Sequence, residues 1–214
     1  MKQTKKRVVA FVGGETAGPI IPLIAVGEEW VKADSTITPI FIDKRKSVAA
    51  HVVPRAGFKF HSMSAGKLRR YWSFRNLFSP VLILVGIVRS ILLFASYRPA
   101  VVVGAGGYVQ VPVMIAAWIL RIPRLIHQQD IVPTFSNRLI AIIASKITVT
   151  FEKSLKDFSQ GTGFEKKVGT NSKIYWTGNP SRLDKNFVDS SQAKKEAMDV
   201  FNLQDDYPVI FVLG

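Results

Sequence analysis

The chain of 214 residues contains no cysteine, and this absence excludes disulfide bridges and thiolate metal sites. Histidine is scarce as well, because only His51, His61 and His127 occur and their spacing is not that of zinc ligands. We therefore expect neither a metal nor another cofactor. Acidic residues are few, with 15 against 29 lysines and arginines, which leaves a net charge of +14. Such an excess predicts an anionic partner, either nucleic acid, an anionic membrane or a phosphorylated substrate.

Two sequence signals of other protein classes are also missing. The basic N terminus is followed by only five apolar residues, Val8–Val12, whereas a secretion signal needs roughly 7–15. The first glycine cluster, with Gly13, Gly18 and the later Asp43, lacks the spacing of the G-x-G-x-x-G dinucleotide fingerprint. A hydrophobic share of 48% excludes a disordered chain. We expect a folded, cytoplasmic protein that does not bind dinucleotides in that way.

Apolar runs that end in glycine or polar residues alternate along the chain with stretches of helical spacing. This alternation indicates a parallel, doubly wound α/β sheet, in which ligands bind outside the carboxyl ends of the strands. The predicted strands are 8–12, 37–42, 58–63, 101–103, 124–127, 146–150 and 173–176, and the predicted helices are 20–32, 47–56, 111–120, 134–145 and 190–202. Pro39 suggests an edge strand or a strand start. Four strand ends carry candidate ligand groups, namely 13–18, 104–108, 127–130 and 177–182.

A hydrophobic stretch covers residues 80–94. A transmembrane helix needs about 20 apolar residues, and Arg89 with Ser90 interrupts this stretch, so we predict a helix that packs on the sheet and does not span a membrane. The preceding segment interleaves cations with aromatic rings, a pattern of membrane interfaces, although core packing of the rings is an equal alternative. The candidate membrane-docking residues are Lys67, Arg69, Arg70, Trp72, Phe74, Arg75 and Phe78. The pattern would also suit RNA, but RNA-binding motifs are absent and we expect no nucleic acid.

Six segments, in this order and spacing, resemble the MurG-type N-acetylglucosaminyltransferases of peptidoglycan synthesis, which belong to glycosyltransferase family 28. They are Gly13–Pro22, Ser64–Tyr71, Arg98–Val109, Ile126–Asp130, Ser136–Ala141 and Thr177–Arg182. The resemblance implies half of a two-domain GT-B fold with Rossmann-like domains. Residues 1–180 would form the N-terminal acceptor and membrane-docking domain. Residues 181–214 would form an interdomain segment and, at Val209–Leu213, the first strand of a truncated donor-binding domain.

The resemblance also implies an activity and its partners. N-acetylglucosamine would pass from UDP-N-acetylglucosamine, with inversion, to the undecaprenyl-diphosphate-linked acceptor lipid I, which becomes lipid II. The protein would be peripheral, on the cytoplasmic face of the plasma membrane at an anionic surface. Donor-binding residues would be Thr16, Ala17, Gly18, Asp130 and Arg182, and acceptor-binding residues Gly13, Gly14, Tyr108 and Asn137.

One departure from the family concerns catalysis. The family usually has a histidine where this chain has Pro19, and a proline ring accepts no proton. His127 and Asp130 are the remaining candidates for a general base, with a purely structural role for His127 as the alternative. Two other functions stay open, a stand-alone acceptor subunit of a split glycosyltransferase and a non-catalytic module that binds polyprenyl diphosphate.

Overall fold

The computed structural model describes residues 6–14, 16–63, 79–159, 173–182 and 191–203. The chain divides into two compact units, 1–180 and 181–214. In chain order the first unit contains β1 (Arg7–Val12), α1 (Ala17–Ala33), β2 (Ile37–Asp43), α2 (Ala49–Arg55), β3 (Lys59–Ser62), α3 (Ser79–Tyr97), β4 (Val101–Gly104), α4 (Gln110–Ile119), β5 (Arg124–Gln128), α5 (Phe135–Ala141), β6 (Lys146–Val149), α6 (Ser154–Ser159) and β7 (Ile174–Trp176). The second unit contains α7 (Ser191–Phe201), an exposed helix as its charged sequence predicts.

The seven strands form one sheet in the order β3-β2-β1-β4-β5-β6-β7, and every neighbouring pair is parallel. The predicted doubly wound α/β fold is therefore confirmed. Strand order reverses around β1, which pairs with β2 on one side and β4 on the other. The carboxyl ends of β1 and β4 consequently lie side by side, and this junction is where such sheets bind ligands.

Alternate residues of β1 enter two separate cores. Val9 and Phe11 face α1 and α2, where the ring of Phe11 stacks on Phe41 with centroids 4.9 Å apart. Ala10 and Val12 face α3, α4, α5 and α6 on the other side. Because both faces are covered, the central strands are apolar throughout, as the sequence runs predict.

Pro39 corrects one prediction, because its strand is internal and not an edge. It pairs with Val9 of β1, while the ladder between β2 and β3 begins one residue later, at Ile40 and Lys59. The missing N–H of Pro39 is thus tolerated, since the strand needs no hydrogen bond to β3 at that position.

Helix α5 is shorter than the predicted 134–145. Two cations bond carbonyl groups at its C-terminal end: Lys173 Nζ donates to Ala141 O at 2.7 Å, and Arg124 Nε donates to Ile143 O, just beyond the helix, at 2.7 Å. These long-range bonds satisfy carbonyl groups that the shorter helix leaves without intrahelical partners, and local periodicity does not report them. The six-residue α6 was not predicted.

Helix α3 is present as predicted, but much less of it is buried than expected for a helix packed on the sheet. Ser90 is accommodated inside it, because its hydroxyl donates to Gly86 O at 2.7 Å. Ser90 and Phe94 are buried, but only 17% of the window Pro80–Tyr97 is. By length and composition alone this window could cross a membrane, a test that core helices of soluble proteins also pass. Its exposed apolar side chains are Val81, Leu82, Leu84, Val85, Val88 and Leu92.

The seven predicted membrane-docking residues between 67 and 75 and at 78, and the predicted strand 209–213, lie outside the described residues.

Candidate functional site

Two glycine turns meet at the carboxyl edge of the sheet. The first turn, residues 13–18, follows β1, and the second turn, residues 104–108, follows β4. They touch through main chain: a Cβ added to Gly14 would lie 2.7 Å from the Cα of Gly107, and one added to Gly107 would lie 2.3 Å from the Cα of Gly14. Gly107 also has a φ of +80°, which disfavours any side chain. Glycine is therefore required at both positions by contact between the turns.

A buried row of side-chain amides, which we call the amide chain, lies behind the second turn. Its members are Gln110, Asn137 and Gln128, all at most 1% exposed. Gly106 N donates to Gln110 Oε1 at 2.8 Å, Gln110 Nε2 donates to Asn137 Oδ1 at 2.7 Å, and Asn137 Nδ2 donates to Gln128 Oε1 at 2.7 Å. The second turn is thus hydrogen-bonded, through three side chains, to the end of β5.

The far end of the amide chain organises the loop 128–134. Gln128 Nε2 donates to Asp130 O at 2.9 Å and to Val132 O at 3.1 Å, while its Oε1 accepts from Thr134 N at 3.4 Å. Thr134 then caps α5, because its hydroxyl oxygen accepts from Asn137 N. The loop that carries Asp130 is therefore held from within by Gln128.

Gln129 connects this loop to the first turn. Gly18 is followed four residues later by Pro22, which lacks the N–H that would bond to Gly18 O in a regular helix. Gln129 Nε2 donates to that carbonyl oxygen at 2.9 Å, and also lies 3.3 Å from Asn179 Oδ1. One amide thus joins the strand ends 13–18, 127–130 and 177–180, which the sequence predicted to converge.

His127 is 4% exposed, and both ring nitrogens have partners. Nδ1 lies 2.9 Å from Thr148 Oγ1, and Nε2 lies 3.4 Å from Asn179 Oδ1 and 3.3 Å from Thr150 Oγ1. A cavity of about 210 Å³, lined by the apolar side of α1, adjoins the ring. Burial lowers the pKa of His127 below its ordinary value of 6.5, against a smaller raising effect of the Asn179 hydrogen bond. The imidazole is therefore neutral at pH 7 and bridges neighbouring elements.

The predicted site residues differ in their exposure to solvent and therefore in how accessible they are to a ligand. Thr16, Ala17, Gly18 and Asp130 are exposed, Tyr108 is half-buried, and Gly13, Gly14 and Asn137 are buried. The amide of Asn137 is used on both atoms by the amide chain and by His127 O, so in this structure it supports loops and faces no solvent. Arg182 is exposed in the second unit.

The start of α1 carries Thr16 as its N-cap. Thr16 Oγ1 donates to Gly14 O at 3.3 Å and makes no cap bond to the amides of the described first turn. Pro19 falls in that first turn, where a missing N–H costs nothing. Within the described ranges, no three His, Asp or Glu side chains are arranged to hold a metal ion.

Gln110 and Gln129 were missed from the sequence as members of the site. A signal existed for Gln129, since Pro22 four residues after Gly18 leaves a carbonyl that needs an outside donor. Gln110 follows the second turn directly, but its role depends on Asn137, which is 27 residues away. Only the folded arrangement reveals that pairing.

The fold and the converging strand ends define a doubly wound α/β protein whose candidate ligand site lies at the carboxyl edge of its sheet. The N-terminal domain model of glycosyltransferase family 28 matches residues 9–149, and the chain belongs to this family, which confirms the resemblance seen in the six segments.

Curated relatives agree with this assignment. A UDP-N-acetylglucosamine--N-acetylmuramyl-(pentapeptide) pyrophosphoryl-undecaprenol N-acetylglucosamine transferase of Legionella pneumophila (strain Corby) is 36% identical over 174 residues, covering 81% of this chain and 47% of the relative. The transferase of the same name from Treponema pallidum (strain Nichols) is 33% identical over 214 residues, which are 100% of this chain and 52% of the relative. The chain spans about half the length of these relatives.

Solved structures support the fold alone. MurG of Acinetobacter baumannii aligns with a TM-score of 0.59 at 22% identity, over 68% of this chain and 41% of that one. The UDP-GlcNAc 2-epimerase of Neisseria meningitidis, bound to UDP-GlcNAc, aligns with a TM-score of 0.63 at 15% identity, over 93% of this chain and 55% of that one.

Proposed function

We propose that this chain is the acceptor half of an inverting N-acetylglucosaminyltransferase that converts lipid I into lipid II. The observation that carries this proposal is the 33% identity over all 214 residues to a transferase named for that donor and acceptor. The two glycine turns support it, because main chain at the carboxyl edge of a parallel sheet suits the close approach of diphosphate groups.

In the proposed reaction, the 4-hydroxyl oxygen of the muramic acid attacks C1 of N-acetylglucosamine. The bond between C1 and the UDP oxygen breaks, UDP leaves with the electron pair, and the hydroxyl proton passes to a base. Asp130 is the better placed of the two candidate bases, because its side chain is exposed at the loop that Gln128 orders. His127 is buried with both nitrogens engaged, so we assign it the positioning of Thr148 and Asn179.

We further propose that α3 docks the protein on the cytoplasmic face of the plasma membrane as a peripheral protein. Leu84, Val88 and Leu92 recur every four residues on one exposed side of this helix. Trp118, Ile119 and Leu120 at the end of α4, which packs against α3, are exposed as well. Apolar side chains on a protein with a charge of +14 suit insertion at an anionic bilayer surface.

A transfer assay tests the enzymatic proposal. The polypeptide as its gene encodes it is incubated in detergent micelles with radiolabelled UDP-N-acetylglucosamine and lipid I, and labelled lipid II is measured. We expect transfer, and a loss of roughly 10²–10⁴-fold in D130N, the range of a general base. Transfer that appears only after a donor-binding partner is added would favour the split-enzyme alternative. Binding of lipid I without any transfer would favour the non-catalytic module.

Vesicle sedimentation tests the membrane proposal. The triple variant L84S/V88S/L92S should partition onto phosphatidylglycerol vesicles at least about tenfold more weakly than wild type, because three apolar side chains leave the bilayer. The matched control V200S/F201S removes equally exposed apolar groups from α7 and should leave partitioning unchanged. Equal losses in both variants would overturn the assignment to α3.

A further inference from the structure

We propose that Gln110 is a positioning residue that couples the second glycine turn to the loop 128–134 through the amide chain. Gln110 is 0% exposed, and its carbonyl and amide groups have different partners, Gly106 N and Asn137 Oδ1. A Cβ on Gly104 would lie 2.3 Å from Gln110 Oε1, so the glycine at this strand end is what leaves room for the Gln110 side chain. The functional consequence rests on the proposed function, whereas the coupling itself does not.

The orientation of each amide is determined by main-chain groups. Gly106 N–H needs an acceptor, which makes the near atom of Gln110 its oxygen and turns Nε2 toward Asn137. His127 O needs a donor, which makes the corresponding atom of Asn137 its nitrogen. Two carbonyls, Asp130 O and Val132 O, likewise require Nε2 of Gln128. Reversing one amide would therefore place two donors or two acceptors together at the next amide. Only one set of orientations in the amide chain pairs every donor with an acceptor.

Because the orientations are fixed in this way, replacing Gln110 by glutamate tests whether the two ends of the amide chain are coupled. An ionised Gln110→Glu side chain accepts from Gly106 N–H but has no proton for Asn137 Oδ1. If Asn137 flips in response, its oxygen faces His127 O and Gln128 Oε1, and the mismatch moves to the loop 128–134. A protonated carboxyl, in contrast, accepts with one oxygen and donates with the other, as the glutamine does.

The surroundings of Gln110 contain no competing charge among the described contacts. The groups that face it are the main chain of Gly104 and Gly106 and the side chains of Asn137 and Met114. His127 and Asp130 reach the amide chain only through their carbonyl oxygens. A carboxyl buried there has a raised pKa, so acidification favours its neutral form.

The coupling is tested by amide hydrogen exchange of Gly106 and Thr134, read by NMR as ratios to wild type at the same pH. In Q110E we expect both amides to exchange at least about tenfold faster at pH 8.0, and to return to within about threefold of wild type at pH 5.5. Q192E, a matched change on α7, should alter neither amide. Faster exchange at Gly106 alone would overturn the coupling, as would unchanged exchange at both positions in Q110E and also in Q110M, which cannot ionise.

A second variant and a binding measurement complete the test. Q110M is uncharged and of similar size, and it should speed exchange at both amides at either pH, which keeps the test decisive where Q110E fails to fold at pH 8.0. Affinity for a short-chain lipid I analogue should fall at least about tenfold in Q110E at pH 8.0 and recover at pH 5.5. Wild type that does not bind the analogue would refute the proposed function, while the exchange result would still decide the coupling.

Discussion

The two glycine turns occupy equivalent places in the sheet but are held in different ways. The second turn has left-handed backbone at Gly106 and Gly107, and side chains buried behind it bond to its main chain. The first turn contacts the second through Gly14, and the side-chain amide of Gln129 donates to its Gly18 O. The second turn is thus held rigidly by its own surroundings, and the first turn is positioned by its contact with the second.

This difference between the turns indicates that the second turn mainly supports the stability of the fold, whereas the first turn is available for ligand contact. Residues of the second turn and the amide chain are mostly buried, so changes there should first affect folding. Thr16, Ala17 and Gly18 of the first turn are exposed, so changes there should first affect what binds.

The largest effect is expected for G107A. An alanine at φ +80° costs about 1–2 kcal/mol, and overlap of its Cβ with Gly14 adds about 1–3 kcal/mol. We expect the free energy of unfolding in urea to fall by about 2–5 kcal/mol. An unchanged unfolding midpoint would contradict the contact between the turns.

G14A should destabilise by about 1–3 kcal/mol, since its Cβ meets the main chain of Gly107 and not a movable side chain. G18A is the matched control, because nothing lies closer than 4.0 Å to its added Cβ. It should leave stability unchanged or raise it slightly, and weaken ligand binding only. The two variants are compared by urea unfolding and by affinity for UDP-N-acetylglucosamine and the lipid I analogue. Equal destabilisation by G14A and G18A would contradict the inferred difference between the packed Gly14 and the exposed Gly18.

Acid should act through His127 and not through the uncharged amide chain. Because burial lowers the pKa of His127, the unfolded chain binds more protons than the folded one below pH 6.5. The unfolding free energy should therefore fall as the pH drops through 6.5, down to the folded pKa. H127Q should lose part of this dependence, and the pKa of His61, also lowered by burial, accounts for a further part. A pH profile identical in wild type and H127Q would contradict the inferred proton linkage.

The smallest effect is expected for Q129A. This exposed side chain bonds to Gly18 O and Asn179, and water replaces it at both, so stability should change by about 0.5 kcal/mol or less. The expected result is a loosened start of α1, read as faster amide exchange at Ile20, Ile21 and Leu23 with an unchanged urea midpoint. A destabilisation as large as that of G14A would show that the first turn is held independently of the second.

Most of the fold was predictable because each strand is a short apolar run that ends in a glycine or polar residue. All seven predicted strands within the described residues are present, within two residues at their ends. Errors arose where distant groups decide local structure. Arg124 and Lys173 bond the carbonyl groups at the early end of α5, and the start of the β3 ladder makes Pro39 acceptable inside the sheet.

The candidate site was predictable as a place and only partly as a set of contacts. Parallel topology alone brings the strand ends of β1, β4 and β5 together, so 13–18, 104–108 and 127–130 were expected to meet. The amide chain was not foreseen from the sequence. Gln110 and Gln128 are uncharged and follow no regular spacing, so nothing in the sequence marks them as hydrogen-bond partners. Asn137 was expected to contact the acceptor, and this contact stays a prediction, whereas its burial and hydrogen bonds show that it also supports the loops. The roles of the site residues in catalysis remain predictions.

The central position of β1 also bears on the order in which the chain is made. Val9 pairs with Val101, so β1 lacks one of its two neighbours until β4 has been translated, roughly 5–20 s later at ordinary rates of synthesis. The apolar helix α3 is translated just before β4 and is therefore complete while the sheet that backs it is still open. A nascent chain in that state exposes the apolar side chains of α3 beside an incomplete sheet. The first surface to bind this helix would therefore be the bilayer or a chaperone.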